Sequence, residues 1–431
     1  MAATARSWLR MVSVVLLLAG FAGTALGQTP GVDLPIRIGA LLPAVPESGG
    51  APFDFAVAEA ARLAAGMAAD EFGFNSEILG LDFALLTEHA ADTEALLEAA
   101  GRLIDEEGVF ALLGGFGTEQ ALALSALAEE RQIPFLNIGA SSDSLRNEAC
   151  SRFTFHFAPS DAMYLDALVG WFVRAGFRRW FFVHEDDPER ESQYRRTTWS
   201  IRNRHFGARE VGRIALAPGT SDFGRAINAA RRNDAEVILL LLEPEAQLAF
   251  LEQYETAGLE AQVTGFPDLG AQTRAFFLAS RDAALKAGSG FRSTAWEATL
   301  DAYGARELNA RFLGSFGSPM EYSAWAVLQA VKVLFEAATF GGLLEGEEVV
   351  AYLESSTSVF DVYKGIGISF RPWDHQLRQS IYLVDIRPEA EGPRDAVLLV
   401  GELPAIYMPR TDPVERLDQI GDTERESKCR F

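Results

Sequence analysis

Two hydrophobic patterns alternate along this chain. Short, mostly apolar runs such as Ile36–Leu42, Val109–Leu113 and Val237–Leu242 are typical of strands that are buried on both faces. Longer segments such as Phe53–Phe72 and Glu321–Phe340 repeat apolar residues at helical spacing, which predicts helices that bury one face. Strands that alternate with helices predict parallel, doubly wound sheets. The series restarts near residue 153, so we predict an α/β fold with two lobes of similar construction.

The stretch Val109–Leu145 predicts a ligand-binding edge. Its first strand ends at Gly114, Thr118 can cap the following helix, and the strand Ile133–Asn137 opens into a second loop at 139–143. Two parallel strands joined by a crossover helix deliver both loops to the carboxyl edge of a sheet. Ligands of open α/β sheets bind at that edge.

These two loops offer hydroxyl groups and uncovered backbone N–H groups. The hydroxyls belong to Thr118, Ser141 and Ser142, and the glycines nearby are Gly115, Gly117 and Gly139. Backbone N–H groups beside a helix N-terminus suit an anionic group such as a carboxylate. The alternative is that these residues form ordinary caps and turns.

The remaining elements continue the alternation. A helix is predicted at Tyr194–Phe206 and a late strand at Ile366–Phe370, and the charged segment Arg410–Phe431 is predicted to be a surface-hugging or partly loose tail. Other predicted strands are 81–87, 153–157, 180–184, 210–216, 262–265, 381–385 and 396–400. Other predicted helices are 92–107, 160–174, 220–232, 244–257, 305–316 and 347–355.

The N-terminus and the charge bear on location and partners. Basic residues precede the apolar run Met11–Ala22, and Ala25-Leu26-Gly27 offers a cleavage site, which is the layout of a secretory signal peptide at residues 1–27. No later stretch is long and apolar enough to predict a membrane span. The formal net charge of −22 argues against binding to nucleic acid and to anionic lipid.

The two cysteines, Cys150 and Cys429, would both lie in the exported, oxidising compartment. We therefore predict a disulfide that ties the C-terminal tail to the region after the second ligand loop. The alternative is two unpaired thiols.

Motifs of catalysis and cofactor binding are not found. The pattern Gly115-Phe116-Gly117 begins a dinucleotide fingerprint, but Gln120 stands where its last glycine should be. The five histidines lie far apart without metal-ligand spacing. Glu185-Asp186-Asp187 could hold a hard cation, although a solvated loop is the simpler interpretation. We expect no enzyme activity, no cofactor and no metal.

The ordered motifs resemble the type I periplasmic binding proteins, in the branch that binds branched-chain and other amino acids for ABC transporters. The resemblance covers most of 36–383. It rests on Ile36-Gly39-Leu42-Pro43, Gly114 with Thr118 and its helix, Ile133-Pro134-Phe135-Leu136 with Gly139-Ala140-Ser141-Ser142, Pro159-Ser160-Asp161, Ser221-Asp222-Phe223, Tyr254–Gly258 and Tyr322–Ala330. The segment Gly367–Gln379 is similar to the subgroup found beside PQQ-dependent alcohol dehydrogenase systems.

The resemblance implies two lobes with a ligand cleft between them. Lobe 1 would comprise residues 33–155 and 272–340, lobe 2 residues 156–271 and 341–400, and the tail residues 401–431. Gly117, Thr118, Ala140, Ser141 and Ser142 match positions that bind an amino acid's α-carboxylate, and Asp268 lies near the position of an acid for the α-ammonium. The sequence departs from the family at Glu47–Gly50 and at Glu185–Pro188, which puts an amino-acid ligand in doubt.

The leading hypothesis is a monomeric periplasmic protein that delivers a small amino-acid-like or carboxylate ligand to an inner-membrane ABC permease. The second hypothesis is a periplasmic ligand sensor or accessory protein of a PQQ-dependent alcohol oxidation system, without a transport role. An exported enzyme is the third.

Overall fold

The computed structural model describes residues 35–45, 52–284, 290–405 and 410–431. The predicted signal peptide with its cleavage site, and the loop residues Glu47–Gly50, lie outside the described residues. None of the helices in the described part of the chain is long and apolar enough to cross a membrane.

The first sheet is wholly parallel and has the strand order β2-β1-β3-β4-β5. Its interior strands are apolar on both faces, as a sheet covered by helices requires. The strands are β1 (Ile36–Pro43), β2 (Phe83–Ala90), β3 (Ala111–Gly114), β4 (Phe135–Asn137) and β5 (Thr154–His156), and the helices between them are α1 (Pro52–Leu79), α2 (Thr93–Asp105) and α3 (Thr118–Arg131).

The second sheet is also parallel and has the order β7-β6-β8-β9. Its central strand β8 is fully buried, as its uninterrupted apolar run predicts. The strands are β6 (Arg179–Glu185), β7 (Arg209–Leu216), β8 (Val237–Leu241) and β9 (Gln262–Gly265), and the helices are α4 (Asp161–Arg174), α5 (Pro188–Asn203), α6 (Gly224–Arg232) and α7 (Pro244–Ala257). The predicted α/β class with two parallel sheets is therefore confirmed.

The last third adds a small antiparallel sheet and five helices. α10 packs against α1, β1 and β3, and its many buried residues make it a core helix of the first lobe. The strands are β10 (Phe291–Thr294), β11 (Ile381–Ile386) and β12 (Val397–Leu403), and the helices are α8 (Arg274–Ala283), α9 (Ala305–Phe316), α10 (Tyr322–Phe340), α11 (Gly346–Glu354) and α12 (Pro413–Leu417). Since α11 contacts α10, it lies beside the first sheet, and the predicted lobe boundaries stay a prediction.

Two local predictions were wrong. The helix α5 begins at Pro188 rather than Tyr194, because Asp187 accepts hydrogen bonds from the backbone N–H groups of Glu189 and Arg190. The segment 366–370 forms no strand, because Gly365 and Gly367 take positive φ angles of 109° and 82° that interrupt an extended chain. It contributes only an isolated bridge at Phe370.

The C-terminal segment 411–431, called the tail below, lies against both lobes. Cys429 forms a disulfide with Cys150 in the structure. Arg371 is fully buried and donates to the Asp418 carboxylate at 2.9 Å and to the backbone carbonyls of Leu417 and Ile420. The segment 367–379, which carries the narrower resemblance, therefore anchors the tail.

Candidate functional site

The loops at the carboxyl ends of both parallel sheets meet at one cleft. Loops after β3 and β4 of the first sheet, and after β6, β8 and β9 of the second, line a cavity of about 360 Å³. Five of the six predicted ligand residues line it: Gly117, Thr118, Ala140, Ser141 and Asp268. Their role in binding a ligand stays a prediction.

Close backbone packing fixes the first-sheet side of the cleft. A Cβ atom on Gly139 would lie 2.7 Å from the Cα of Phe116 and 2.8 Å from the carbonyl oxygen of Gly115, so only glycine fits where the two loops touch. The fully buried Asn137 amide donates to the Ala140 carbonyl at 2.8 Å and accepts from the Ala140 N–H at 3.0 Å. The two loops thus form one rigid floor.

Arg146 supports this floor from below. Its buried guanidinium donates to the backbone carbonyls of Ser142 at 2.9 Å and Ala158 at 2.6 Å, and to the Gln376 side chain at 2.6 Å. Burial lowers the pKa of Arg146, and nearby carboxylates oppose that change. Arg146 is a positioning residue, because its contacts go to the loops.

The predicted cap at Thr118 was wrong. Gly117 is the N-cap of α3 and makes no side-chain cap, and Thr118 is the first helical residue. Its hydroxyl donates instead to the Glu189 carboxylate at 3.2 Å. Since Glu189 begins α5 of the second lobe, this bond joins the two faces of the cleft.

Asp268 is already engaged by a cation. The guanidinium of Arg190 donates to both Asp268 oxygens, at 3.1 and 2.9 Å, and to Glu243 at 2.7 Å. Burial raises the pKa of the Asp268 carboxyl, while Arg190 acts against that rise. A ligand ammonium at Asp268 would have to compete with this bidentate pair.

Ser142 faces a second cavity beside the first. Its hydroxyl lies 2.9 Å from that of Ser144 and caps the helical turn Asp143–Arg146. The backbone N–H of Asp161 donates to the Ser141 carbonyl at 2.8 Å, which places the start of α4 directly behind the loop.

Sequence reasoning missed Glu189, Arg190, Arg146 and Asp161 as cleft residues. Asp187-Pro188 was the available signal for the first two, because an N-cap aspartate before a proline marks a helix start. Arg146 and Gln376 are 230 residues apart, and no local pattern links them. Within the described ranges, no group of three or more His, Cys, Asp or Glu residues could hold a metal ion.

Comparisons with solved structures identify the fold. A branched chain amino acid ABC transporter periplasmic ligand-binding protein from Burkholderia xenovorans LB400 is 19% identical, with a TM-score of 0.77 over 91% of this chain and 99% of that chain. A solute binding protein of an ABC transporter from R. palustris, in complex with benzoate, is 16% identical, with a TM-score of 0.69 over 92% of this chain and 100% of that chain.

A branched-chain amino acid transporter substrate binding protein from Streptococcus pneumoniae, in complex with isoleucine, is 16% identical, with a TM-score of 0.67 over 85% of this chain and 99% of that chain. At these identities the likeness establishes the fold alone. A sequence search of curated proteins found no match. A family model described as periplasmic binding protein matches residues 35–392. The chain belongs to the type I periplasmic binding protein family.

Proposed function

We propose that this protein is the periplasmic solute-binding component of an ABC transporter. It captures a small ligand between its two lobes and delivers it, as a monomer, to an inner-membrane permease. The observation that carries this proposal is the meeting of loops from both sheets at one cleft, where Thr118 of the first lobe contacts Glu189 of the second. Hinge motion of two lobes about such a cleft exposes and encloses a ligand without chemistry.

The charge of the cleft bears on the ligand. Of the two expected classes, an amino-acid-like ligand suits it better than a plain carboxylate. The only lining cation among the described residues, Arg190, is paired with Asp268 and Glu243. The other lining carboxylates would repel an anion that has no ammonium of its own; they are Asp54, Glu189 and Glu245.

Thermal unfolding of the mature chain from Gln28, in the presence of candidate solutes, tests the proposal. The panel holds amino acids, small carboxylates, alcohol-derived acids, PQQ and metal ions. A ligand that binds only the folded state stabilises it by about 2.7 kcal/mol at a hundredfold excess over its dissociation constant. We expect at least one member to raise the midpoint.

Variants on the cleft floor assign that shift to the site. The shift should shrink in Ser141→Ala and in Thr118→Val, and persist in Ser355→Ala, which changes an exposed hydroxyl after α11. A shift that the cleft variants leave unchanged would place binding elsewhere. No shift across the panel would contradict solute capture and favour a sensor or accessory protein.

A further inference from the structure

A larger cavity of about 720 Å³ adjoins the cleft. It shares Thr118 and Glu189 with the smaller cavity and extends over Ser142 and Asp161 to a wall formed by the tail. The tail contributes Asp422, Glu426 and Lys428 to that wall. We call this larger cavity the tail chamber.

The basic side chains that line the tail chamber already have acidic partners. Arg196 donates to Asp422 at 2.6 Å and to Asp166 at 2.5 Å. Lys428 pairs with Glu148 at 2.5 Å. Arg195 lies 3.5 Å from Glu191 and is otherwise exposed. No lining base among the described residues is therefore left to receive an anionic ligand.

Two lining carboxylates lack a cationic partner. Asp161 is 3% exposed, and its Oδ1 has no hydrogen-bond partner among the described residues. Its other contacts are to neutral side chains, with Gln193 donating to Oδ2 at 3.3 Å and Ser141 lying beside the carboxylate. Glu189 accepts from the Thr118 hydroxyl at 3.2 Å.

Each carboxylate affects the other. Burial raises the pKa of Asp161, and burial together with the charge of Asp161 raises the pKa of Glu189. A buried acceptor without a donor costs free energy, and a cation that carries N–H donors would remove that cost. The pair thus offers negative charge and an unused acceptor at one place.

The tail wall is held to both lobes. On the first lobe, Cys429 is bonded to Cys150, and the Lys428 N–H donates to the Asn147 side chain at 3.0 Å. On the second lobe, the Gly421 N–H donates to Asp166 at 3.0 Å, and Arg204 donates to Glu426 at 2.8 Å. The wall is therefore a built part of the chamber.

We propose that the tail chamber seats the protonated amine of an organic cation between Asp161 and Glu189. The inference rests on the proposed function and specifies its ligand. It places the ammonium at the start of α4 and α5, away from Asp268, whose oxygens Arg190 occupies. The tail then closes the side of the chamber opposite the cleft.

Three six-carbon probes that differ only in charge test the proposal: hexamethylenediamine, hexanediol and adipate. Isothermal titration of the full mature protein at about 0.15 M salt, which screens weak surface attraction, measures each affinity. We expect the diamine to bind with one site per chain, and the diol and the dicarboxylate to give no saturable heat.

Near-isosteric variants place the binding. Asp161→Asn and Glu189→Gln should each weaken diamine binding by about ten- to a hundredfold, because each removes a charged hydrogen-bond acceptor. Glu98→Gln, an exposed change on α2, is the matched control and should bind as the parent does. If Asp161→Asn fails to fold, Glu189→Gln decides alone, since Glu189 is exposed to the cleft.

Two results would overturn the inference. Diamine binding that is equal in both cleft variants and the control would show adsorption to the acidic surface. Binding of adipate without binding of the diamine would show an anion site, and the proposed solute-binding function would stand while this inference fails. Silence of all three probes overturns the amine site, and the wider ligand panel then decides the proposed function separately.

Discussion

Replacing Arg190 by methionine is expected to lower the free energy of unfolding by about 3 kcal/mol. The guanidinium lies among Asp268, Glu243 and Glu185, at 2.9, 2.7 and 3.9 Å. Removing it leaves carboxylates near one another without a cation. The expected loss is at the lower end for a buried pair, because 25% of the Asp268 side-chain surface is exposed and water can solvate it in part.

Urea-induced unfolding of the parent and the variant measures this loss. Arg195→Met is the matched control, because Arg195 lies on the same helix with 70% of its side-chain surface exposed and a single contact to Glu191 at 3.5 Å. Its expected change is within about 0.5 kcal/mol. If both variants lost the same stability, the carboxylates around Arg190 would not depend on its charge.

Replacing both Cys150 and Cys429 by serine is the second large effect. The bond closes a loop with a sequence separation of 279 residues, and opening a loop of that length is expected to cost about 2–5 kcal/mol. Both cysteines are poorly exposed, and Cys429 is 4% exposed, so its serine hydroxyl would also enter an apolar setting. The free energy of unfolding should therefore fall even though the tail keeps its ion pairs.

Unfolding of the double variant, beside the parent under non-reducing conditions, measures the contribution of the bond. A thiol assay on the unfolded, non-reduced parent serves as the control and should detect no free thiol. Two free thiols in the parent, or an unchanged unfolding free energy in the double variant, would contradict a stabilising disulfide.

Most elements could be predicted from the sequence where start and stop residues are explicit. The helix α7 begins at Pro244 and ends at Gly258, which takes a positive φ of 61°, and both bounds agree with prediction. The start of α5 was missed because residues 188–193 are polar and show no hydrophobic period. The short strand β10 was missed for the same reason, since Phe291–Thr294 has little apolar pattern.

The site could be predicted only on the side that a local motif marks. Thr118 and Ser141 follow neighbouring strands, so their meeting at one sheet edge follows from topology. The groups that oppose them come from distant parts of the chain. Arg190 and Asp268 are 78 residues apart, and their pairing changes what Asp268 can offer a ligand. Pairing of this kind is set by tertiary packing and has no sequence period.

The tail shows the same limit. Its polar composition predicted a surface-hugging or partly loose segment, and the structure supports the first of these alternatives. Leu417 and Ile420 are buried, and Asp418 accepts from both Arg371 and Arg378 at 2.9 Å. Charged residues can order a segment when their partners are buried arginines elsewhere in the chain.

Hydrogen–deuterium exchange tests the central claim, that a solute is held between the two lobes. The protein is compared with and without the panel member that raises the unfolding midpoint most. The account predicts slower exchange at the loops around 115–118 and 139–145 of the first lobe and around 186–190 of the second lobe, at the same ligand concentration. Slower exchange in the loops of one lobe alone, or only outside the cleft, would contradict capture between the lobes.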